Sequence, residues 1–228
     1  MTTIFMKIQE FEFNNHHATV IVPDNPNGKW IWKTEFLYAF DKAECELSDE
    51  GYIRVYYQIS DMYGSYRAVR LMHAFHLHVT ERFNLDKQAI LFGFSRGGLY
   101  AFNYALYYPE YVSKVYLDAP VLDMRTWPPA NTVQMGQLLD EYSLTLESLR
   151  VFHGHPIENL PEFFSLNIPL LLVAGDADTT VPFAPNSGRL IEYCTSHGIP
   201  LTYVVKPGCL HHPHSLDDTS IIKEFIKS

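Results

Sequence analysis

The chain has 228 residues, of which 47% are hydrophobic and 19% are charged, and its formal net charge is −9. This length suits one α/β domain over residues 1–228, and an acidic chain without clustered lysine and arginine lacks a surface for nucleic acid. Apolar stretches are too short for a signal peptide or a membrane span, and the three cysteines show no C-x-x-C spacing. We therefore expect a cytoplasmic protein with reduced thiols that binds no membrane.

Alternating and helical patterns predict the elements that precede residue 60. The pair Asn14-Asn15 suits a tight turn between two antiparallel strands, and later apolar residues recur at helical spacing before a second extended segment. The predicted elements are hairpin strands Phe5–Phe13 and Ala18–Val22, a helix over Thr34–Leu47 and a strand over Tyr52–Ile59.

Strands and helices alternate from residue 65 onward. Ser65 is the predicted cap of a long helix, and four later runs are apolar on both faces, as is typical of parallel strands between two helical layers. The runs are Lys87–Phe92, Val112–Leu117, Pro169–Ala174 and Leu201–Val205, and the intervening helices are Gly97–Tyr108, Ala184–Ser196 and Ser215–Ile226. The sequence therefore predicts the α/β class, with a mostly parallel central sheet and helices on both faces.

A proline-rich stretch of about 50 residues between Asp118 and Ile168 interrupts this alternation. It is much longer than a strand-to-helix connection needs to be. It holds helical patterns around Val133–Tyr142 and Leu146–Phe152 that carry several polar residues. We predict a small, water-facing, cap-like insertion at about 119–167, without the wide apolar face of a lipase lid.

The clearest chemical signal is a G-x-S-x-G pattern formed by Gly93, Ser95 and Gly97, directly between an apolar run and a helix. A serine fits a strained strand-to-helix turn only if the residues two before and two after it have no side chain that would collide. Ser95 is therefore the candidate nucleophile. The backbone N–H of Arg96, at the start of the following helix, is a candidate donor to an oxyanion.

A serine nucleophile needs a base held by an acid, and the next loops contain both residue types. The run that ends at Ala174 is followed by a loop with Asp176 and Asp178, and the run that ends at Val205 is followed by His211, His212 and His214. The carboxyl ends of both strands thus carry the groups that acyl transfer requires, in the order serine, acid, histidine.

Together these loops resemble the α/β-hydrolase superfamily, particularly its esterase and prolyl-oligopeptidase-like branches. The matching motifs are Gly93-x-Ser95-x-Gly97, Gly175-x-x-Asp178-x-x-Val181-Pro182 and Gly208-x-x-His211. The elbow and the His-His-Pro-His-Ser-Leu ending are also similar to a group of bacterial esterases, some associated with carbohydrate breakdown. The resemblance implies an α/β-hydrolase fold, with Ser95 as nucleophile, Asp178 as acid and His211 as base.

Alternatives remain for the acid and the base. Asp176 competes with Asp178, and Asp118 is a third candidate because some hydrolases carry the acid one strand earlier. His212 competes with His211, whereas His214 is expected to cap a helix or face solvent.

The second oxyanion donor and the substrate contacts are less clearly marked. The sequence lacks the His-Gly-Gly-Gly loop of many lipases, and a backbone N–H of Trp30 or Trp32 is the candidate in its place. Aromatic side chains of Trp30, Trp32, Tyr63 and Trp127 are expected on loops at one rim, with Asp61 and Ser65 as polar contacts. Such a rim suits a sugar ring or an aromatic group.

The histidines also raise the question of a metal. His211, His212 and His214 form one group, and His73, His76 and His78 form another. Adjacent residues on an extended loop point in different directions, and no acidic ligand accompanies either group at a useful spacing. We therefore expect no structural or catalytic metal and no cofactor, with His73 and His76 on the polar side of their helix.

These patterns predict a serine hydrolase that cleaves small-molecule carboxylic esters, with short acyl groups and soluble polar, or carbohydrate, alcohols. The alternatives are a small serine peptidase or amidase that uses the same triad, and a non-catalytic ligand-binding relative.

Overall fold

The computed structural model describes residues 6–228, and its eight strands form one sheet in the order β1-β2-β4-β3-β5-β6-β7-β8. β2 runs antiparallel to both neighbours, and all other pairs are parallel. The strands are β1 (Lys7–Phe13), β2 (His16–Val22), β3 (Trp30–Lys33), β4 (Ile53–Tyr57), β5 (Ala89–Phe94), β6 (Val112–Asp118), β7 (Leu170–Gly175) and β8 (Thr202–Lys206). The predicted mostly parallel sheet is confirmed.

Helices cover both faces of the sheet, as the doubly apolar strands require. They are α1 (Lys42–Asp49), α2 (Tyr66–Phe83), α3 (Gly97–Tyr107), α4 (Val133–Tyr142), α5 (Leu146–Arg150), α6 (Leu160–Ser165), α7 (Arg189–His197) and α8 (Ser220–Lys227). In β5, Leu91 belongs to the buried cluster that includes residues of α2, α3 and α7, whereas Ile90 and Phe92 belong to the cluster that includes residues of α1 and α8. Within residues 6–228, no helix is both long and apolar enough to cross a membrane.

The N-terminal hairpin forms as predicted, with Asn14 and Asn15 in left-handed conformations at its turn; Phe5 lies outside the described residues. The predicted helix over Thr34–Leu47 is wrong in its first part, because α1 begins only at Lys42. Residues 34–41 form a loop in which Phe36 and Phe40 have φ values of 60° and 51°, which an α-helix does not allow. The strand β3, which precedes this loop, had no counterpart among the predicted strands.

The segment 119–167 lies between β6 and β7 and contains α4, α5 and α6. Helix α4 is joined by polar contacts to the chain around the start of α2. The Tyr63 hydroxyl donates to Gln137, the Tyr142 hydroxyl donates to the Tyr63 carbonyl, and Glu141 accepts from Ser65. Several polar anchors therefore hold this helix against the rest of the protein.

His76 lies on the buried face of α2, and the expectation that it lies on the polar side of its helix is wrong. Its ring packs edge-on against Trp30 at 4.9 Å and beside Tyr104 at 5.8 Å, and Nε2 lies 2.8 Å from the Lys87 carbonyl oxygen. Burial lowers the pKa of His76 to about 4. The imidazole is therefore neutral in the folded protein at neutral pH, with Nε2–H as the donor to Lys87.

We expect His76 to make the protein less stable as pH falls. Because the folded-state pKa lies below that of an unfolded histidine, protons bind preferentially to the unfolded chain, and stability decreases below about pH 6.5 towards pH 4. Between pH 7 and pH 5 the loss from this residue should be about 2 kcal/mol. Urea unfolding at both pH values should show a smaller difference for His76→Gln than for the wild type, and equal differences would contradict the assignment.

Candidate active site

Ser95 occupies a sharp turn between β5 and α3, in a left-handed conformation with φ of 52°. The neighbouring glycines permit this turn because other chain segments pass very close. A Cβ on Gly93 would lie 2.8 Å from the Ala101 Cβ, and one on Gly97 would lie 2.9 Å from the Thr34 hydroxyl. Side chains at either position would displace the turn that presents the serine hydroxyl.

A continuous chain of hydrogen bonds connects Ser95, His211 and Asp178, which come from the ends of three different strands. His211 Nε2 lies 2.9 Å from Ser95 Oγ, and His211 Nδ1 lies 2.7 Å from Asp178 Oδ2. All three residues are largely buried. The structure thus brings together the serine, the histidine and one of the carboxylates that the sequence placed on separate loops.

Hydrogen bonding determines the tautomer of His211. Asp178 accepts backbone N–H bonds from Thr180 and Val181 on Oδ1, at 2.9 and 3.0 Å, which fix the carboxylate and leave Oδ2 for the imidazole. A carboxylate acceptor requires Nδ1 to carry the proton, so Nε2 presents its lone pair to the Ser95 hydroxyl. This arrangement suits proton transfer from serine to histidine.

The other candidate acids have different partners. Asp176 is exposed and accepts a 2.6 Å hydrogen bond from the Gly208 N–H. Asp118 is buried and bonds to His214 Nδ1 at 2.7 Å, not to His211. The expectation that His214 caps a helix or faces solvent is therefore wrong.

The backbone N–H of Arg96 lies at the N-terminus of α3, where N–H groups have no acceptor within the helix. The other proposed donors are misplaced. Trp30 and Trp32 lie inside β3, paired with β4 and β5 on both sides, and their side chains are buried in the core. Their backbone groups belong to the sheet, and neither forms the loop beside the serine.

The segment that does pass beside Ser95 is the one that follows β3. The Thr34 hydroxyl donates to the Gly97 carbonyl at 2.8 Å, and the next residue, Glu35, is buried. Glu35 Oε2 accepts from the Arg96 guanidinium at 3.2 Å, and burial raises the pKa of Glu35 although Arg96 opposes this shift. Sequence reasoning missed this contact because it placed Thr34 and Glu35 in a helix.

The predicted substrate contacts have separate outcomes. Tyr63 is fully buried and its hydroxyl donates to Gln137, and Ser65 caps α2 by accepting from the Ala68 N–H. Contrary to the prediction, neither side chain is free to contact a substrate. Trp127 is half-buried, with its ring 6.3 Å from Tyr63, and Asp61 is exposed. The roles of Trp127 and Asp61 stay predictions.

Two other aromatic side chains contact the sequence neighbours of Ser95 and His211. Phe36 is 38% exposed and lies over the Arg96 guanidinium, whereas Phe40 is 39% exposed and stacks on His212 with a centroid distance of 5.7 Å. An aromatic rim thus exists, although its residues are not Trp30 and Trp32. No signal in the sequence marked this rim, because Phe36 and Phe40 fitted the apolar spacing of the helix predicted over Thr34–Leu47.

Comparison with known proteins agrees with this architecture. A family model described as the alpha/beta hydrolase fold matches residues 5–161, more than half of the chain. The chain belongs to the α/β-hydrolase family. The matched region includes Ser95 and ends before Asp178 and His211, so the geometry of those two residues is an independent observation. No curated protein matches the sequence.

Solved structures with this α/β-hydrolase fold include a Mycobacterium tuberculosis puromycin-hydrolyzing peptidase, with a TM-score of 0.70, 14% identity, and coverage of 91% of this chain and 36% of that one. Porphyromonas gingivalis dipeptidyl peptidase 4 aligns with a TM-score of 0.69 and 13% identity, over 97% of this chain and 34% of that one. The chain thus spans about a third of each peptidase. The Staphylococcus aureus fluorophosphonate-binding serine hydrolase F aligns with a TM-score of 0.70 and 13% identity, over 92% of both chains.

Substitution of the three aspartates should distinguish their roles in this α/β-hydrolase. We expect Asp178→Asn to lower kcat by about 10³–10⁴-fold, because an amide would favour the wrong histidine tautomer. Asp176→Asn, the exposed control, should stay within about tenfold of wild type because it only loses a surface contact. Asp118→Asn should mainly lower the Tm, through its buried bond to His214. A larger fall in kcat for Asp118→Asn than for Asp178→Asn would place the acid on β6.

Proposed function

We propose that the protein is a serine hydrolase that cleaves carboxylic esters through an acyl-enzyme. The observation that carries this proposal is the unbroken Ser95–His211–Asp178 chain, with 2.9 and 2.7 Å contacts, on a serine held in a left-handed turn. A buried carboxylate that fixes the imidazole, and an imidazole whose free lone pair faces a hydroxyl, are the parts that acyl transfer needs.

The reaction follows from these positions. Ser95 Oγ attacks the ester carbonyl carbon while its proton moves to His211 Nε2, and Asp178 stabilises the resulting imidazolium. The negative oxygen is held by the Arg96 N–H and by a backbone N–H of the Glu35–Phe36 segment. His211 then gives its proton to the departing alcohol, which leaves Ser95 acylated. Water attacks the acyl group with His211 as base, and the acid departs as Ser95 regains its proton.

The substrate class rests on the surroundings of this chain. Phe36, which contacts Arg96, and Phe40, which contacts His212, are partly exposed flat apolar groups that suit a sugar ring or a compact acyl group. Helix α4 is held by polar contacts through Gln137 and Glu141, unlike a lid that opens an apolar face at a lipid surface. Short-acyl esters of soluble polar alcohols fit these features best.

A peptidase or amidase is the second candidate, and it has a specific observation in its favour. Two of the similar structures are described as peptidases, and both align with almost all of this chain. The same three residues could attack an amide. However, about two thirds of each of those chains has no counterpart in this sequence, so the likeness covers only about a third of each peptidase.

Replacement of the nucleophile gives the first test. Ser95→Ala should lower kcat by about 10⁴-fold or more while leaving the Tm nearly unchanged, because the hydroxyl contributes little packing. A fluorophosphonate probe should label the wild type and the control Ser165→Ala, but not Ser95→Ala. Hydrolysis by Ser95→Ala within about tenfold of wild type would contradict the mechanism, and absence of labelling in the wild type would favour a non-catalytic relative.

A substrate series gives the second test. With p-nitrophenyl esters of increasing acyl length, we expect kcat/KM to fall steeply beyond about six acyl carbons, because a small rim limits the apolar surface that can be buried. Acetylated sugars should be hydrolysed, and emulsified triglycerides should not. Faster turnover of long chains at an oil interface would contradict this substrate class, and preference for aminoacyl-amide substrates over matched esters would favour the peptidase.

A further inference from the structure

Three histidine rings converge in the loop that follows β8. The ring centroids of His211, His212 and His214 lie 4.8–4.9 Å from one another, and the ring planes are inclined by 70° to 88°. One ring nitrogen from each lies within 4.8 Å of the others. The loop turns between these residues, so the side chains of neighbours that would diverge on an extended strand face a common point.

Two of the rings are already oriented as metal ligands usually are. Asp178 accepts from His211 Nδ1, and Asp118 accepts from His214 Nδ1, both at 2.7 Å. A carboxylate on one nitrogen fixes the tautomer and leaves the lone pair of the other nitrogen for a metal. Nε2 is thereby the free donor in both residues, and the two buried carboxylates supply negative charge that balances a divalent cation.

The size of the cluster suits zinc. Three imidazole nitrogens at a Zn–N distance of about 2.0–2.1 Å in tetrahedral directions lie about 3.3 Å apart, with their ring centroids about 5 Å apart. The observed centroid distances of 4.8–4.9 Å match this spacing, and the ring nitrogens, which lie within 4.8 Å of one another, converge on an ion after a rotation of the side chains. His212 is exposed and stacked on Phe40, so it supplies the third nitrogen from the solvent side and gives an ion a path to the site.

We propose that His211, His212 and His214 form a binding site for Zn²⁺ that inhibits the enzyme. The ion binds the Nε2 lone pair of His211, which otherwise accepts the hydrogen bond from the Ser95 hydroxyl. Ser95 keeps its proton, no covalent bond changes, and the base is no longer available. The inhibition rests on the proposed function, whereas the binding depends only on the three histidines.

Metal binding is measured first, without reference to catalysis. Co²⁺ is added to the wild type, Ser95→Ala, His212→Ala and the control His153→Ala, which changes an exposed histidine elsewhere, and visible absorption and calorimetry are followed. We expect one ion per chain with nitrogen-rich tetrahedral absorption, and an affinity lower by about tenfold or more only in His212→Ala. No binding, or equal affinity in His212→Ala and wild type, would overturn the site.

Inhibition is measured second, on p-nitrophenyl acetate. Zn²⁺ should inhibit the wild type and His153→Ala, and a chelator should restore their activity, whereas His212→Ala should stay active at the same Zn²⁺ concentration. Co²⁺ binding without loss of hydrolysis or of fluorophosphonate labelling would overturn the inhibitory role. If no ester is hydrolysed by any variant, the proposed function fails while the Co²⁺ titration still decides the site.

Discussion

The left-handed backbone of Ser95 is the constraint on which the site depends. A non-glycine residue in this conformation costs about 1–2 kcal/mol, so its surroundings must compensate. The Ser95 N–H donates to the Asp118 carbonyl, and its own carbonyl accepts from Val121 and Gly98. These bonds join the turn to the end of β6 and to the segment that leaves it. Ser95 is therefore positioned by the neighbouring strand as much as by its own.

Asp118 joins the serine turn to the histidine loop. Its carbonyl accepts from Ser95, while its carboxylate accepts from His214, from the Ser215 N–H and from Tyr116. A buried carboxylate with three donors is well compensated, whereas removal of one partner leaves a costly charge. The loop that carries His211 and His214 is thus fixed at two points, because Asp178 holds His211 and Asp118 holds His214. Such double attachment keeps the imidazole within reach of the hydroxyl.

The sequence predicted the parts of the site that depend on local chain geometry. The G-x-S-x-G turn, the strand before it and the helix after it follow from sterics within a few residues. The contact between Ser95 and His211 joins residues 116 positions apart, and only the resemblance to a family suggested it. Trp30 and Trp32 were predicted on a loop but lie in β3. A strand of four residues that is buried on both faces has too little pattern to be distinguished from a loop when its neighbouring strands are unknown. Motif spacing favoured Asp178 as the acid and His211 as the base, whereas the contact of His214 with Asp118 depends on long-range packing and was not predicted.

The loop over residues 34–41 shows why the surroundings of the serine were the least predictable part. Its shape is set by two buried cations outside it: Lys33 donates to the Ala39 carbonyl and pairs with Glu44, and Arg54 donates to the Leu37 carbonyl. A buried cation is costly unless it has partners. The loop carbonyls of Ala39 and Leu37 supply such partners, so the two cations fix the path of the loop. These contacts outweigh the helix propensity of the segment, which therefore forms a loop. Phe36 and Phe40 stay partly exposed because the loop is held mainly at its carbonyls. Changes of these two side chains should therefore leave the path of the loop largely unchanged.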